Sequence, residues 1–502
     1  MEAQGARQAG ATRVLVMSTL AFTLMFAVWL QFGILGVPIR KELGISEVQF
    51  AWVVAVAVLN GSLWRLPAGM LADRIGGRIV TIAMLLVTAL PCYAVAHADG
   101  YAMLLVLAFL VGFAGNLFSV GIAWNSAWSS PARQGFALGV FGAGNVGASV
   151  TKMIVIFAPG IIASTAGATY LGVAPGGWRL FPVIYSVALV LCAAATYLVV
   201  PRRDRVAGAG KPLREMLAPL RQLRVWRFSL YYAAVFGAYV ALSAWLPLYY
   251  TDTYDVSLQT AALLTATYIF PASLLRPIGG AISDRFGARR VMYWTFGVSV
   301  VCCFFLSYPP TEYIVRGIRG PMRFTIETTL APFVVLTFIL GFFMSLGKAA
   351  VYKHIPVYYP KDVGAVGGLV GMIGGLGGFV LPIAFGVLND LTGVWTSCFM
   401  LLFLIVSGSL VWMHFAIRQM EREAVGPLLE KLPQFPELQP IHEPSKHTPS
   451  RGAGMISDWR PEEPAFWRKT GRQVATRNLW LSIPSLFLSF AVWMVWSVVV
   501  AK

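Results

Sequence analysis

The sequence predicts an all-α membrane protein of two six-helix halves, twelve spans in all, with one extra transmembrane helix at the C-terminus. Three observations carry this. Apolar runs of about 18 residues or more recur along the whole 502-residue chain, and each is long enough to cross a bilayer as a helix. The chain is 57% hydrophobic and 12% charged, against about 25% charged in an ordinary soluble domain. A 16-residue segment of the first half returns in the second at a constant offset of 211 residues.

Spans 1 to 6 are placed at 14–36, 49–71, 79–97, 101–128, 135–158 and 181–200. Spans 7 to 12 are placed at 227–250, 261–283, 290–308, 330–352, 363–388 and 394–416, and a further apolar run covers 478–500. The domains follow: an N-terminal half 1–200, a basic central loop 201–226, a C-terminal half 227–416, a Pro- and Glu-rich linker 417–475, and a last segment 476–502. The first run is too long for the apolar core of a signal peptide and no small-residue cleavage site follows it, so it is kept as a span.

Loop charge sets the orientation. With the N-terminus inside, the inner loops hold sixteen Lys and Arg residues, including Arg74, Arg78, Arg202, Arg203 and Arg205. The outer loops hold six: Arg40, Lys41, Arg179, Arg316, Arg319 and Arg323. Positive loops stay cytoplasmic, so a cytoplasmic N-terminus is expected. This also accounts for the net charge of +17 without a nucleic-acid partner. Cys92, Cys192, Cys302, Cys303 and Cys398 all fall inside apolar segments and form no CxxC pair. They read as small buried hydrophobes, and no metal or cofactor is expected.

The internal repeat aligns LWRLPAGMLADRIGGR (63–78) with LLRPIGGAISDRFGAR (274–289). Seven of sixteen positions are identical, as duplicated halves should show. A second repeat aligns 12–29 with 476–493, nine of eighteen positions identical. The last apolar run therefore resembles span 1 of another unit, and a tandem fusion is expected, with an ordinary thirteenth helix as the alternative.

Arg65 and Arg276 stand one turn before a glycine inside apolar segments, at equivalent places in the two halves. A charge inside a membrane is costly and marks function by default. Spans 1, 2, 4, 5, 7, 8 and 10 carry no Asp or Glu in their interiors. Two uncompensated guanidiniums call for an anion, and their planar forks suit a flat oxyanion. Span 5 reads GFALGVFGAGNVGASVTK, with Gly135, Gly139, Gly142, Gly144 and Gly147 around Asn145. Span 11 repeats the style with Gly364, Gly367, Gly368, Gly371, Gly374, Gly375, Gly377 and Gly378. Glycines at such density cost helix stability and serve close helix contact or close backbone approach to a ligand.

The segment Gly69, Asp73, Arg74, Gly76, Arg78, with its weaker copy at Gly280, Asp284 and Arg285, matches the GxLADRxGxR loop motif of the major facilitator superfamily. The paired glycine segments resemble the signatures of its nitrate/nitrite porter (NarK-type) family, and the resemblance covers 12–416. It implies the major facilitator fold, and with the repeat at 476–493 it makes this chain the expected N-terminal porter of a tandem fusion. It further implies that Arg65 and Arg276 clamp nitrate or nitrite, with Asn145 and Gly144 from the first signature. Tyr232 and Phe236 match a Tyr-x-x-x-Phe-Gly of span 7; Phe32 and Phe118 fall at ring positions of spans 1 and 4, the latter after a one-residue gap. Without the resemblance these aromatics read as core.

Span 10 departs from the exchanger-like members, which have no lysine there. Its GKAAVYKHIPVYYPKD holds Lys348 well inside the membrane and Lys353 and His354 near one end, and span 5 adds Lys152. The sequence is similar to the subgroup proposed to couple nitrate uptake to protons. Lysines that have left water and histidines near neutrality can exchange protons, so Lys348, His354 and Lys152 are the coupling candidates; Lys348 as a source of positive potential along the anion path is the alternative. The expectation is a secondary transporter of nitrate, nitrite or both in a bacterial cytoplasmic membrane, working by alternating access, with nitrate/H+ symport first. Nitrate/nitrite antiport, another small oxyanion, or an anion channel are the alternatives. No catalytic residue is expected, because no His/carboxylate or Cys cluster suited to chemistry is present.

Overall fold

The computed structural model of the chain describes residues 2–147, 160–170, 172–318, 320–431 and 466–478. Two compact units divide it, 1–422 and 423–502. The first holds all that follows. In the second, the described residues are the end of a long helix, to 431, and a helical stretch over 466–478 that begins with a π-helical turn, Trp467–Gly471. The predicted second-unit helix lies, beyond residue 478, outside the described residues, as does Lys152.

Within 1–422 the N-terminal half begins with α1 (Glu2–Trp29) and α2 (Phe32–Leu43), followed by α3 (Glu47–Leu63), α4 (Arg65–Ile75) and α5 (Gly77–Val95). It continues with α6 (Tyr101–Gly112), α7 (Leu117–Trp128), α8 (Gln134–Ala143) and α9 (Leu180–Val199). The C-terminal half contains α10 (Leu223–Tyr232), α11 (Ala238–Tyr254), α12 (Leu258–Leu274), α13 (Arg276–Phe286) and α14 (Ala288–Ser307). It ends with α15 (Leu330–Tyr358), α16 (Val363–Thr392) and α17 (Ser397–Lys431). Among the described residues ten helical segments are long and apolar enough to cross a membrane, eleven when the bent pair α12 and α13 counts as one. Span 5 is described only as far as residue 147.

Span 1 ends earlier than expected. The helix starts near the N-terminus and stops at Trp29, and α2 follows from Phe32 after a two-residue turn in which Gln31 keeps helical φ and ψ. Span 12 runs on as helix through Lys431, past residue 416. Two antiparallel strand pairs sit in loops: β1 (Thr169–Tyr170) with β2 (Ala174–Pro175), and β3 (Thr311–Gly317) with β4 (Gly320–Ile326).

The duplication is visible in the breaks. Span 2 bends at Trp64 (φ −88°, ψ 5°) and span 8 at Leu275 (φ −87°, ψ 6°), each directly before its arginine. Pro67 and Pro277 follow within the first turn, where each removes a backbone donor and interrupts the ladder. Both α4 and α13 then stop at a glycine with positive φ, Gly76 at 97° and Gly287 at 86°. A side chain there would be strained, which explains the glycine in D-R-x-G.

Candidate functional site

Glycines let the two halves meet. A Cβ on Gly69 would collide with the Gly364 carbonyl oxygen, and one on Gly280 with that of Gly135. So α4 lies against α16 and α13 against α8, as small residues permit in a membrane. At one end of each contact a carboxylate closes the seam. Asp73 Oδ2 accepts from Gly364 N (2.7 Å) and Ala365 N (3.0 Å). Asp284 accepts from Gly135 N at Oδ1 (2.9 Å) and from Phe136 N at Oδ2 (2.8 Å). These donors lie in the first turns of α16 and α8, where no intrahelical acceptor exists. Each aspartate therefore caps a helix of the other half. Lys353 Nζ adds an ion pair to Asp284 Oδ1 (2.6 Å) and donates to Pro131 O (2.6 Å).

Further along the same contacts stand the arginines, each 1% exposed. Arg65 donates from Nε to Gly61 O (2.9 Å) and from Nη1 to Gly371 O (2.8 Å). Arg276 donates from Nη1 to Gly142 O (3.0 Å) and from Nη2 to the Tyr232 hydroxyl (3.4 Å), while its buried Nε has no partner among the described residues. Neither guanidinium has a carboxylate within ion-pair distance among the described residues.

Phe118 links them. Its ring centroid is 5.5 Å from Arg65 Cζ and 5.6 Å from Arg276 Cζ, within cation–π range. Phe236 also faces Arg65 (5.7 Å). The rings of Phe118, Tyr232 and Phe236 lie nearly parallel, with interplanar angles of 4° to 10°. Tyr232 ends α10 and Phe236 sits in the π-helical turn Ala233–Gly237 that joins α10 to α11. Such bulges re-aim side chains and recur at functional sites. The structure thus brings five of the expected residues together: Arg65, Arg276, Phe118, Tyr232 and Phe236.

The others are placed differently. Asn145 occupies a 3₁₀ turn after α8; it is buried, and both its side-chain Nδ2 and Oδ1 lack partners among the described residues. Such a group costs free energy unless something completes it. Gly144 packs on α1, where a Cβ would sit 2.6 Å from Phe22 Cδ1. Phe32 is buried at the start of α2 and makes no cation–π contact with either arginine among the described residues. The span 1 ring over Arg65 is Trp29, at 5.6 Å, with its Nε1 donating to Ala57 O (2.8 Å). Tyr352 is a second addition: it stands edge-on to Phe118 (5.0 Å) and Tyr232 (4.8 Å) and donates to Gly367 O (3.0 Å).

Lys348 is fully buried, with Nζ 3.6 Å from the Tyr239 ring centroid and no hydrogen-bond partner among the described residues. His354 lies near the seam end of α15, against the Phe228 ring (5.4 Å). Of the motif residues, Arg78 donates from its backbone N to Asp204 Oδ2 (2.8 Å) and from Nη2 to Tyr197 O (2.8 Å). Arg74 and Arg285 are exposed in the last turns of α4 and α13.

Comparison with known proteins agrees with this architecture. The Major Facilitator Superfamily model matches residues 17–312 and 249–501. The solved structure of a Major Facilitator Superfamily transporter, FucP, in the outward conformation, superposes with a TM-score of 0.60 at 16% identity, covering 80% of this chain and 99% of that one. A Thermus thermophilus protein named "Probable nitrate/nitrite antiporter NarK1" is 58% identical over 417 residues, 82% of this chain and 93% of its own. The Mycobacterium tuberculosis (strain H37Rv) "Probable nitrate/nitrite transporter NarK2" is 32% identical over 75% of this chain and 89% of its own. A "Nitrite extrusion protein" of Bacillus subtilis is 28% identical over 80% and 95%. The chain is a multi-pass membrane transporter rather than an enzyme, and it belongs to the nitrate/nitrite porter (NarK-type) family of the major facilitator superfamily.

Proposed function

We propose that this chain carries nitrate and nitrite across the bacterial cytoplasmic membrane by alternating access, with its N-terminus on the cytoplasmic side. The observation that supports this most is the pair of buried guanidiniums on the two faces of the half–half contact, without a carboxylate among the described residues and with one aromatic ring between them. Two such charges attract one small anion. The forks favour a planar oxyanion over a spherical halide, and the rings of Phe118, Tyr232 and Phe236 line the arginine pair. Asn145, with donor and acceptor both unmet among the described residues, is the further polar group that this reading assigns to the anion. The names of the relatives support nitrate and nitrite over other oxyanions.

Each arginine also ties its own half to a glycine carbonyl of the other. An anion that recruits the guanidiniums therefore acts on the bonds that hold the halves together, and substrate binding is coupled to closure. For energy coupling, nitrate/H+ symport rests on Lys348, a buried amine with no hydrogen-bond partner among the described residues. Nitrate/nitrite antiport is the second reading, favoured by the name of the 58% identical relative. Proteoliposomes decide. Nitrate uptake that rises with an inward proton gradient supports symport. Uptake indifferent to the gradient but accelerated by internal nitrite supports antiport. Uptake of neither anion, by protein shown to be folded and inserted, overturns the assignment.

A further inference from the structure

A second basic site lies away from the arginine pair, where α10, α14, α15 and α17 end together. Arg224 and Arg227 stand in the first turns of α10, Arg289 at the start of α14, and His354 and Tyr358 in the last turns of α15. They line a small cleft that opens to the surface, with Met413 and Ile417 of α17 on one side. The three arginines are weakly satisfied. Arg289 Nη2 donates to the Tyr358 hydroxyl (2.8 Å). Arg224 stacks on the Tyr358 ring (4.5 Å), with Nη2 3.7 Å from the Met420 sulfur. The Nε atoms of Arg224 and Arg227 are buried without partners among the described residues. None of the three forms an ion pair with a carboxylate among the described residues.

The position is as telling as the charge. Every lining element contributes residues from the terminal turns of an apolar span, so the cleft sits at the level of lipid headgroups. Trp226 and Leu223 are exposed beside it, as interfacial side chains are. Basic pockets between spans at that level accept phosphate headgroups, and guanidiniums bind phosphate oxygens with charge-assisted hydrogen bonds. The apolar α17 wall suits the start of an acyl chain.

We propose that the Arg224–Arg227–Arg289 cleft binds a phosphate group, from an anionic phospholipid headgroup or a soluble phosphate, and that this group is not the anion held by Arg65 and Arg276. The full chain is reconstituted in nanodiscs of phosphatidylcholine, of phosphatidylcholine with phosphatidylglycerol, and of phosphatidylcholine with inorganic phosphate added. Thermal melting and lipid retained in native mass spectrometry are then read. Stabilisation by phosphatidylglycerol identifies a lipid headgroup; stabilisation only by inorganic phosphate identifies a soluble ligand; both support the site. Arg224→Gln/Arg227→Gln removes the effect, and affinity weakens about tenfold for each charge-assisted hydrogen bond lost. Arg289→Gln, at an exposed position, gives the same direction if the double variant fails to fold. Equal responses of wild type and folded variants to both additions, or no response from the wild type, overturn the proposal.

Discussion

Arg65 and Arg276 make the same bond across the interface: each donates Nη1 to a glycine carbonyl of the opposite half, Gly371 at 2.8 Å and Gly142 at 3.0 Å. The two arginines are equivalent in the internal repeat, and the two glycines occupy matching turns of the glycine-rich helices that α4 and α13 pack against. The pseudo-symmetry therefore extends from backbone to hydrogen bond. It leaves one nitrogen of each guanidinium without a hydrogen bond among the described residues, Nη2 of Arg65 and Nε of Arg276.

Replacing either arginine by lysine tests that geometry. Lysine keeps the charge but cannot hold the glycine carbonyl and an anion in the same planar fork. Losing one charge-assisted contact costs about 1.5–3 kcal/mol, so Arg65→Lys and Arg276→Lys should each bind nitrate at least about tenfold more weakly while still inserting. Nitrate binding to the purified variants measures it. Near-normal affinity in either would remove the two-arginine clamp.

The glycines give a second test. A Cβ on Gly142 would lie 2.7 Å from Arg276 Cζ, so Gly142→Ala should displace the guanidinium and lower uptake sharply. Overpacking of this kind costs about 1–3 kcal/mol. Gly408, where an added Cβ would meet nothing within 4 Å, is the control: Gly408→Ala should leave uptake and melting temperature unchanged. If the two alanines behave alike, the glycines of span 5 are not there for the arginine.

The seam aspartates should differ in weight. Asp73→Ala removes two capping hydrogen bonds, both accepted by Oδ2, at a cost of about 0.5–2 kcal/mol. Asp284→Ala removes two as well and also strands Lys353, an ion-pair partner in a largely buried setting, where loss of one member costs about 3–5 kcal/mol. Melting of the two variants in one detergent should rank Asp284→Ala clearly lower. An equal loss would mean that the Lys353 pair adds nothing to the seam.

Much of this is legible in the sequence because it breaks an apolar pattern. Arg65, Arg276 and Lys348 stand out as lone charges, and D-R-x-G stands out twice at a fixed offset. Phe118, Tyr232 and Phe236 carry no such signal: an aromatic in an apolar helix looks like core, and only the family resemblance singles them out. Trp29 and Tyr352 are hidden for the same reason. Trp29, the last residue of α1, and Phe32, the first of α2, are aromatics three residues apart, and only the structure shows that it is Trp29 that faces Arg65. The β3–β4 hairpin does have a signal in the chain: Tyr313, Val315 and Phe324 in short alternating runs around a Gly317–Gly320 turn.

Lys348 bears the coupling question. It is fully buried in α15, its Nζ rests on the Tyr239 ring at 3.6 Å, and no hydrogen-bond partner is present among the described residues. Tyr239 is itself held by Ser273, hydroxyl to hydroxyl at 2.7 Å, one residue before the end of the helix that leads into Arg276. On the proposed symport, a proton lost or gained at Lys348 changes the charge over the Tyr239 ring. Lys348→Gln keeps a polar end on a side chain one bond shorter and cannot be charged. If Lys348 carries the proton, nitrate uptake driven by a pH gradient collapses in this variant while counterflow into nitrate-loaded vesicles survives. Equal loss of both would make Lys348 part of the anion path instead. Tyr239→Phe separates ring from hydroxyl: it preserves the cation–π contact, worth about 2 kcal/mol when desolvated, and should leave gradient-driven uptake near wild type. A collapse there as well would shift the proton route from the lysine alone to the Tyr239–Ser273 pair.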